Sequence, residues 1–195
     1  MGFLDMTPAV GLDALTMFGH GLDHAEGICM TPDGTLYVSG EAGQIYRLES
    51  DDTPTVVTST GGWTLGLAAD ADGRIYACDA VRHAVLRWTP GQAEPEVWSS
   101  GPAGSPFASP NWGAFGADGT YYVSDSGGWK ARDGRVMAIK DGTTRVWTTA
   151  SVDFPNGLAV SPDGTELWVL ESTPGCLVRY AITCLLYTSP SPRDS

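Results

Sequence analysis

Hydrophobic and polar positions along the chain fall into a repeated order. A short apolar run leads to an Asp-Gly pair, an alternating segment follows, and after a polar loop a third apolar segment closes the unit. Four stretches share it: "EGICMTPDGTLYVSGEAGQIYRLE", "LGLAADADGRIYACDAVRHAVLRW", "NWGAFGADGTYYVSDSGGWKARDGRVMAI" and "NGLAVSPDGTELWVLESTPGCLVRYAI". Their turn aspartates, Asp33, Asp72, Asp118 and Asp163, lie 39, 46 and 45 residues apart. The first three units add a more polar fourth segment, "TPTVVTS", "EPEVWSS" and "TTRVWTT". Alternation is the strand period, and no unit shows the helical one. Asp-Gly between apolar runs predicts a tight hairpin in which both residues take positive φ. Four antiparallel strands recurring every 40 to 45 residues or so are the signature of β-propeller blades. A two-sheet sandwich would also be all-β, but it has no reason to repeat its sequence. The predicted fold is therefore an all-β partial propeller over residues 1–183, with blades around 22–60, 61–101, 105–150 and 152–183.

Composition agrees with this and narrows the partners. Among 195 residues, 42% are hydrophobic, enough for one sizeable core, and 25 glycines and 13 prolines are spread evenly, as many short turns require. A formal charge of -12 argues against nucleic acid and against an anionic membrane surface, and leaves cations and small neutral molecules as partners. Cys29, Cys78, Cys176 and Cys184 have neither C-x-x-C nor zinc spacing, so they are expected to be free, buried thiols. The N-terminal "MGFLDMTPAVGLDALTMF" has no basic segment and no long apolar run, which predicts neither a signal peptide nor a membrane span and makes a cytoplasmic location the expectation.

The candidate chemistry lies at one offset in the repeat. Seven residues before the turn aspartates stand Glu26, Leu65, Asn111 and Asn156. In a propeller the first strand of each blade lines a central channel, so these positions form one ring near its mouth. A carboxylate and two amide carbonyls facing a common axis suit a hard cation, and calcium takes about 6–8 oxygen ligands of this kind. An isolated glutamate in a narrow channel is costly to desolvate, and a divalent cation removes that cost. Capping of turns is the plainer reading for any single asparagine; three oxygen donors in register favour the metal.

At "HAEGICM", "SPNWGAF" and "FPNGLAV" the sequence resembles the family of senescence marker protein (regucalcin), gluconolactonase and luciferin-regenerating enzyme, over about Gly21 to Thr183. The resemblance implies a six-bladed propeller, here only about four blades of an incomplete ring, with one divalent cation at the channel mouth. Calcium is the expected ion, magnesium or zinc the alternatives. Carried over residue by residue, Glu26, Asn111 and Asn156 are implied metal ligands, with Asn111, His24 and Asp125 as candidate substrate contacts. The implied activity is metal-dependent hydrolysis of a lactone or related ester. Two departures stand out. Ser109 occupies a position where regucalcin has an arginine, and Trp129 one where it has a substrate-contacting glutamate.

The family places a further aspartate ligand in the next blade, beyond these four units, so no general base is assigned. The last twelve residues, "CLLYTSPSPRDS", break the repeat and resemble the read-through of a sequencing-library adapter. Residues 184–195 are therefore expected to be a non-native tail, and the chain as it stands to be inactive. A strictosidine-synthase-like propeller and a non-enzymatic ligand-binding propeller are the alternative readings.

Overall fold

The computed structural model describes residues 14–51 and 53–182. The tail expected to be non-native, and Cys184 within it, lie outside the described residues. The described chain is almost entirely strand and turn. Its first sheet holds β1 (Ile28–Met30), β2 (Leu36–Ser39), β3 (Gln44–Leu48) and β4 (Pro54–Ser59). The second holds β5 (Thr64–Ala69), β6 (Ile75–Asp79), β7 (Ala84–Trp88) and β8 (Glu96–Ser99). The third holds β9 (Pro110–Phe115), β10 (Tyr121–Asp125), β11 (Arg135–Lys140) and β12 (Thr143–Thr148). The fourth holds β13 (Pro155–Val160), β14 (Glu166–Glu171) and β15 (Cys176–Ala181). Strands within each sheet pair antiparallel in chain order. The first strands contact one another in sequence, β1 against β5, β5 against β9 and β9 against β13. The sheets are thus blades of an incomplete propeller ring, with β1 and β13 at its two ends.

The cores lie between blades, as alternation requires: one face of each strand packs forward and the other back. Tyr37 and Ile45 of the first blade pack on Leu67, Ile75 and Trp88 of the second. Tyr76, Cys78 and Val85 pack on Tyr121, Val123 and Met137 of the third. Tyr122, Val136 and Ala138 pack on Leu158, Leu167 and Val169 of the fourth. The back of the first blade carries a smaller cluster of Val38, Tyr46 and Leu48, covered by Leu22. Both end blades leave apolar side chains in solvent, with Ile28 and Met30 on β1 exposed at 55% and 64%, and Leu170 and Leu177 on the fourth blade at 50% and 55%.

Two expectations change. The Asp-Gly turns do not have positive φ at both residues. Gly34, Gly73, Gly119 and Gly164 take φ of 87°, 77°, 81° and 72°, while the aspartates before them stay outside that region. Each glycine amide donates to the carbonyl three residues earlier, as Gly34 N does to Thr31 O. The hairpins are therefore type I turns followed by a left-handed glycine, in which only the glycine is conformationally obligatory. The cysteines also differ from expectation. Cys78 is fully buried and Cys29 partly so, and burial pushes both thiols up to about 12, but Cys176 is exposed.

Candidate functional site

Three of the four ring positions, Leu65, Asn111 and Asn156, sit at a defect in the innermost strand, while Glu26 precedes β1, whose pairing with β2 is regular. Between β9 and β10, Trp112 pairs with Ser124 but Pro110 with Asp125, so Asn111 is the extra residue of a β-bulge. The same irregularity falls between Pro155 and Leu158 in β13, around Asn156, and between Thr64 and Leu67 in β5, around Leu65. A bulge adds one unpaired residue and re-aims its side chain. The alternation that would turn Asn111 into an inter-blade core is thereby broken at the position where a polar side chain is needed.

Buried serines link neighbouring ring positions. Ser39 Oγ accepts from Gly27 N at 2.7 Å and donates to Leu65 O of the next blade at 2.7 Å. Ser124 Oγ accepts from Trp112 N at 3.0 Å and donates to Asn156 O at 2.6 Å. Since Gly27 follows Glu26 as Trp112 follows Asn111, the shared pattern places Glu26 and Asn111 at equivalent stations. Gly27 is held against the second blade: a Cβ there would lie 2.2 Å from Leu65 O.

The lead-in segments are pinned by carboxylates at the ends of the second strands. Asp79, fully buried, accepts from Trp63 N, Val81 N and Arg82 N through Oδ1 at 2.9–3.0 Å. Asp125, 1% exposed, accepts from Ala108 N and Ser109 N and pairs with Arg135 Nε at 2.9 Å. Glu171 ends β14 at the same station. Its carboxyl is buried, and its Oε1 has no partner among the described residues. The clamp by Asp79 was missed from sequence and Asp125 was expected to face substrate instead, although an acid closing "YACD", "VSD" and "VLE" recurs in three units.

The predicted donors differ in how free they are. Asn156 Nδ2 donates to Ser172 Oγ at 3.2 Å, which turns its carbonyl oxygen away from that bond and leaves it available. Asn111 is 6% exposed, Glu26 is exposed, and neither side chain has a hydrogen-bond partner among the described residues. These are hard oxygen donors, consistent with an alkaline-earth cation. Among the described residues no cluster of three His, Cys, Asp or Glu side chains forms a metal site, so any ion held here would rest on one carboxylate and amides. His24 Nδ1 lies 2.7 Å from Glu41 Oε2, and that hydrogen bond, with the charge of Glu41, raises the imidazole above its ordinary value.

Concavity alone points elsewhere. Cavities of about 320 and 630 Å³ open at the Asp-Gly end of the blades, opposite the ring positions, near Asp33 and Asp72 and near Asp70 and Trp98. Their polar side chains satisfy one another: Arg74 pairs with both Asp70 and Asp72, and Tyr76 OH donates to Asp70. Apart from the exposed Asp141, their charged side chains are engaged within the blades, and the ring is the better candidate.

Blade order and bulged innermost strands define an incomplete β-propeller, with Glu26, Asn111 and Asn156 at equivalent positions of three blades. Residues 24–184 match the family described as SMP-30/Gluconolactonase/LRE-like region, and the chain belongs to that family. Among solved structures it is similar to a gluconolactonase from Xanthomonas campestris, with 26% identity and a TM-score of 0.70 over 82% of this chain and 58% of the other. A candidate gluconolactonase from a structural-genomics programme aligns with 23% identity and a TM-score of 0.73, over 85% and 61%. A chain of a nidogen/laminin complex shares the fold alone, with 17% identity and a TM-score of 0.68 over 80% and 60%. The chain thus spans 58% and 61% of the two gluconolactonase-type structures. No curated protein matches it.

Proposed function

We propose that this chain carries the channel-mouth site of a gluconolactonase-like hydrolase acting on a lactone or related ester with a divalent cation. The observation that carries this reading is the register. Asn111 and Asn156 sit at the bulges of two innermost strands, Glu26 stands at the equivalent place just before β1, and each keeps an oxygen without a hydrogen bond among the described residues. Family membership and the 26% identity to the Xanthomonas enzyme support it.

In this reading Glu26, Asn111 and Asn156 hold the cation, calcium first and magnesium or zinc as alternatives. When bound, such an ion supplies Lewis-acid polarisation of an acyl oxygen. Asn111 and His24 contact the substrate, with the bond to Glu41 fixing the His24 ring. Asp125, also expected to meet substrate, has its oxygens engaged by Ala108, Ser109 and Arg135, and in this reading it holds the segment that carries Asn111. Leu65, at the fourth station, contributes no oxygen.

The test is thermal melting of the chain in calcium with and without chelator, alongside lactone hydrolysis by a form extended to the length of the gluconolactonase structures it spans in part. In that longer form chelator is expected to abolish turnover and calcium to restore it, whereas the chain itself is expected to bind calcium without turnover. A ligand at a hundredfold excess over its Kd stabilises the fold by about 2.7 kcal/mol. Glu26→Ala should remove that stabilisation, and Leu65→Ala should leave it. Equal melting shifts in wild type and Glu26→Ala would overturn the metal assignment. Calcium binding without turnover in the longer form would favour a non-enzymatic ligand-binding propeller.

A further inference from the structure

Two residues before the ring stations, the four lead-in segments place His24, Trp63, Ser109 and Phe154. This rim is at the end of the blades where the ring residues lie. The His24 ring is engaged with Glu41, and the backbone amide of Ser109 is held by Asp125. The rim's other members are aromatic. Phe154 takes φ of 61°, a conformation that a bulky side chain adopts only where surrounding structure enforces it, and such strain clusters at functional sites.

The enforcing structure is the loop between β10 and β11. Trp129 packs edge-on against Phe154 with ring centroids 4.9 Å apart, and it remains 60% exposed. Arg132 pairs with Asp153 at 2.6 Å, Gly134 N donates to Val152 O, and Ser126 Oγ donates to Pro155 O at 2.6 Å. Within the loop Asp133 accepts from Gly128 N at 2.9 Å. The loop is thus fastened on both sides of Phe154, and it presents the Trp129 indole to solvent against Phe154, which stands two residues before Asn156. An exposed tryptophan held this rigidly has a large apolar area to bury and little entropy left to lose.

We infer that Trp129 and Phe154 form an aromatic shelf that selects substrates carrying an apolar ring or acyl substituent next to the lactone, in preference to polyhydroxylated sugar lactones. The inference rests on the proposed lactone site and deepens it. A sugar lactone needs several donors and acceptors around its hydroxyls, whereas the charged side chains of His24 and Arg132 are already paired with Glu41 and Asp153. What the loop holds exposed beside Phe154 is aromatic.

The experiment compares binding of a phenyl-substituted γ-lactone and a sugar δ-lactone to the full chain by ligand-observed NMR, with and without calcium. Wild type is expected to bind the phenyl lactone more tightly, and Trp129→Ala to weaken that binding about tenfold, the scale of one aromatic contact with its buried area. Trp129→Phe should retain most of the affinity, which separates loss of the shelf from loss of the fold. Tighter binding of the sugar lactone, equal weakening of both ligands in Trp129→Ala, or no binding of either by wild type would overturn the shelf. Selective binding of the phenyl lactone that calcium leaves unchanged would instead overturn the metal-dependent lactonase reading and leave the shelf standing.

Discussion

Single residues decide whether the ring stations hold their places. Gly27 has no room for a methyl group, because the obstructing atom is a backbone carbonyl of the next blade rather than a movable side chain. Gly27→Ala is expected to destabilise the fold by about 1–3 kcal/mol, the usual cost of overpacking, as read by urea denaturation. Ser124 serves two buried backbone groups through one hydroxyl. Ser124→Ala leaves Trp112 N and Asn156 O without that partner, at a cost of about 1–3 kcal/mol by the same measurement. If Asn156 is a ligand, Ser124→Ala should also weaken calcium binding although Ser124 offers the ion nothing. Calorimetric titration that finds unchanged affinity would separate the serine link from the site.

At the scale of elements, the hairpin turns make the fold sensitive to acid. Asp33 and Asp163 accept from their neighbouring threonine and serine hydroxyls and from the amide two residues on, which holds both carboxyls below their ordinary value. Asp118, bonded chiefly to Lys140 and also to Thr120, is lowered from 3.8 to about 2. A carboxyl depressed in the folded state stabilises the fold when ionised. Its contribution is complete above the unfolded value and fades as pH falls toward the folded one. Stability is therefore expected to hold down to about pH 4 and drop between there and about pH 2. Asp118→Asn should flatten that drop only slightly, since both partners are half exposed and screened. A melting temperature unchanged between pH 5 and pH 2 would contradict this.

The strands, their order and their turns were legible in the sequence because alternation and Asp-Gly spacing are local signals. The bulges were not. Asn111 and Asn156 stood out by their offset, but the extra residue appears only when β9 is paired with β10 and β13 with β14. Sequence likewise showed Asp125 at a strand end without showing the amides of Ala108 and Ser109 folded back onto it. Contacts across seventeen residues of intervening chain leave no periodic trace.

For the molecule as a whole, the successive inter-blade cores make stability a chain of nearest-neighbour terms. The second and third blades are covered on both faces, while the end blades leave Ile28, Met30, Leu170 and Leu177 in water. Such an arc need not unfold all at once. Amide protons of β6 and β10 are expected to exchange with solvent through the rarest openings, and those of β2 and β14 through more frequent, partial ones. Native-state hydrogen exchange at increasing urea reads this order directly, and one common opening energy for all four strands would rule it out. Glu26 and Asn156 belong to the two blades that open first, while Asn111 stays in the more persistent interior. A cation bridging all three would tie the loosest ends of the arc to its centre, so its clearest signature would be slower exchange in the outer blades, with the middle ones almost unchanged.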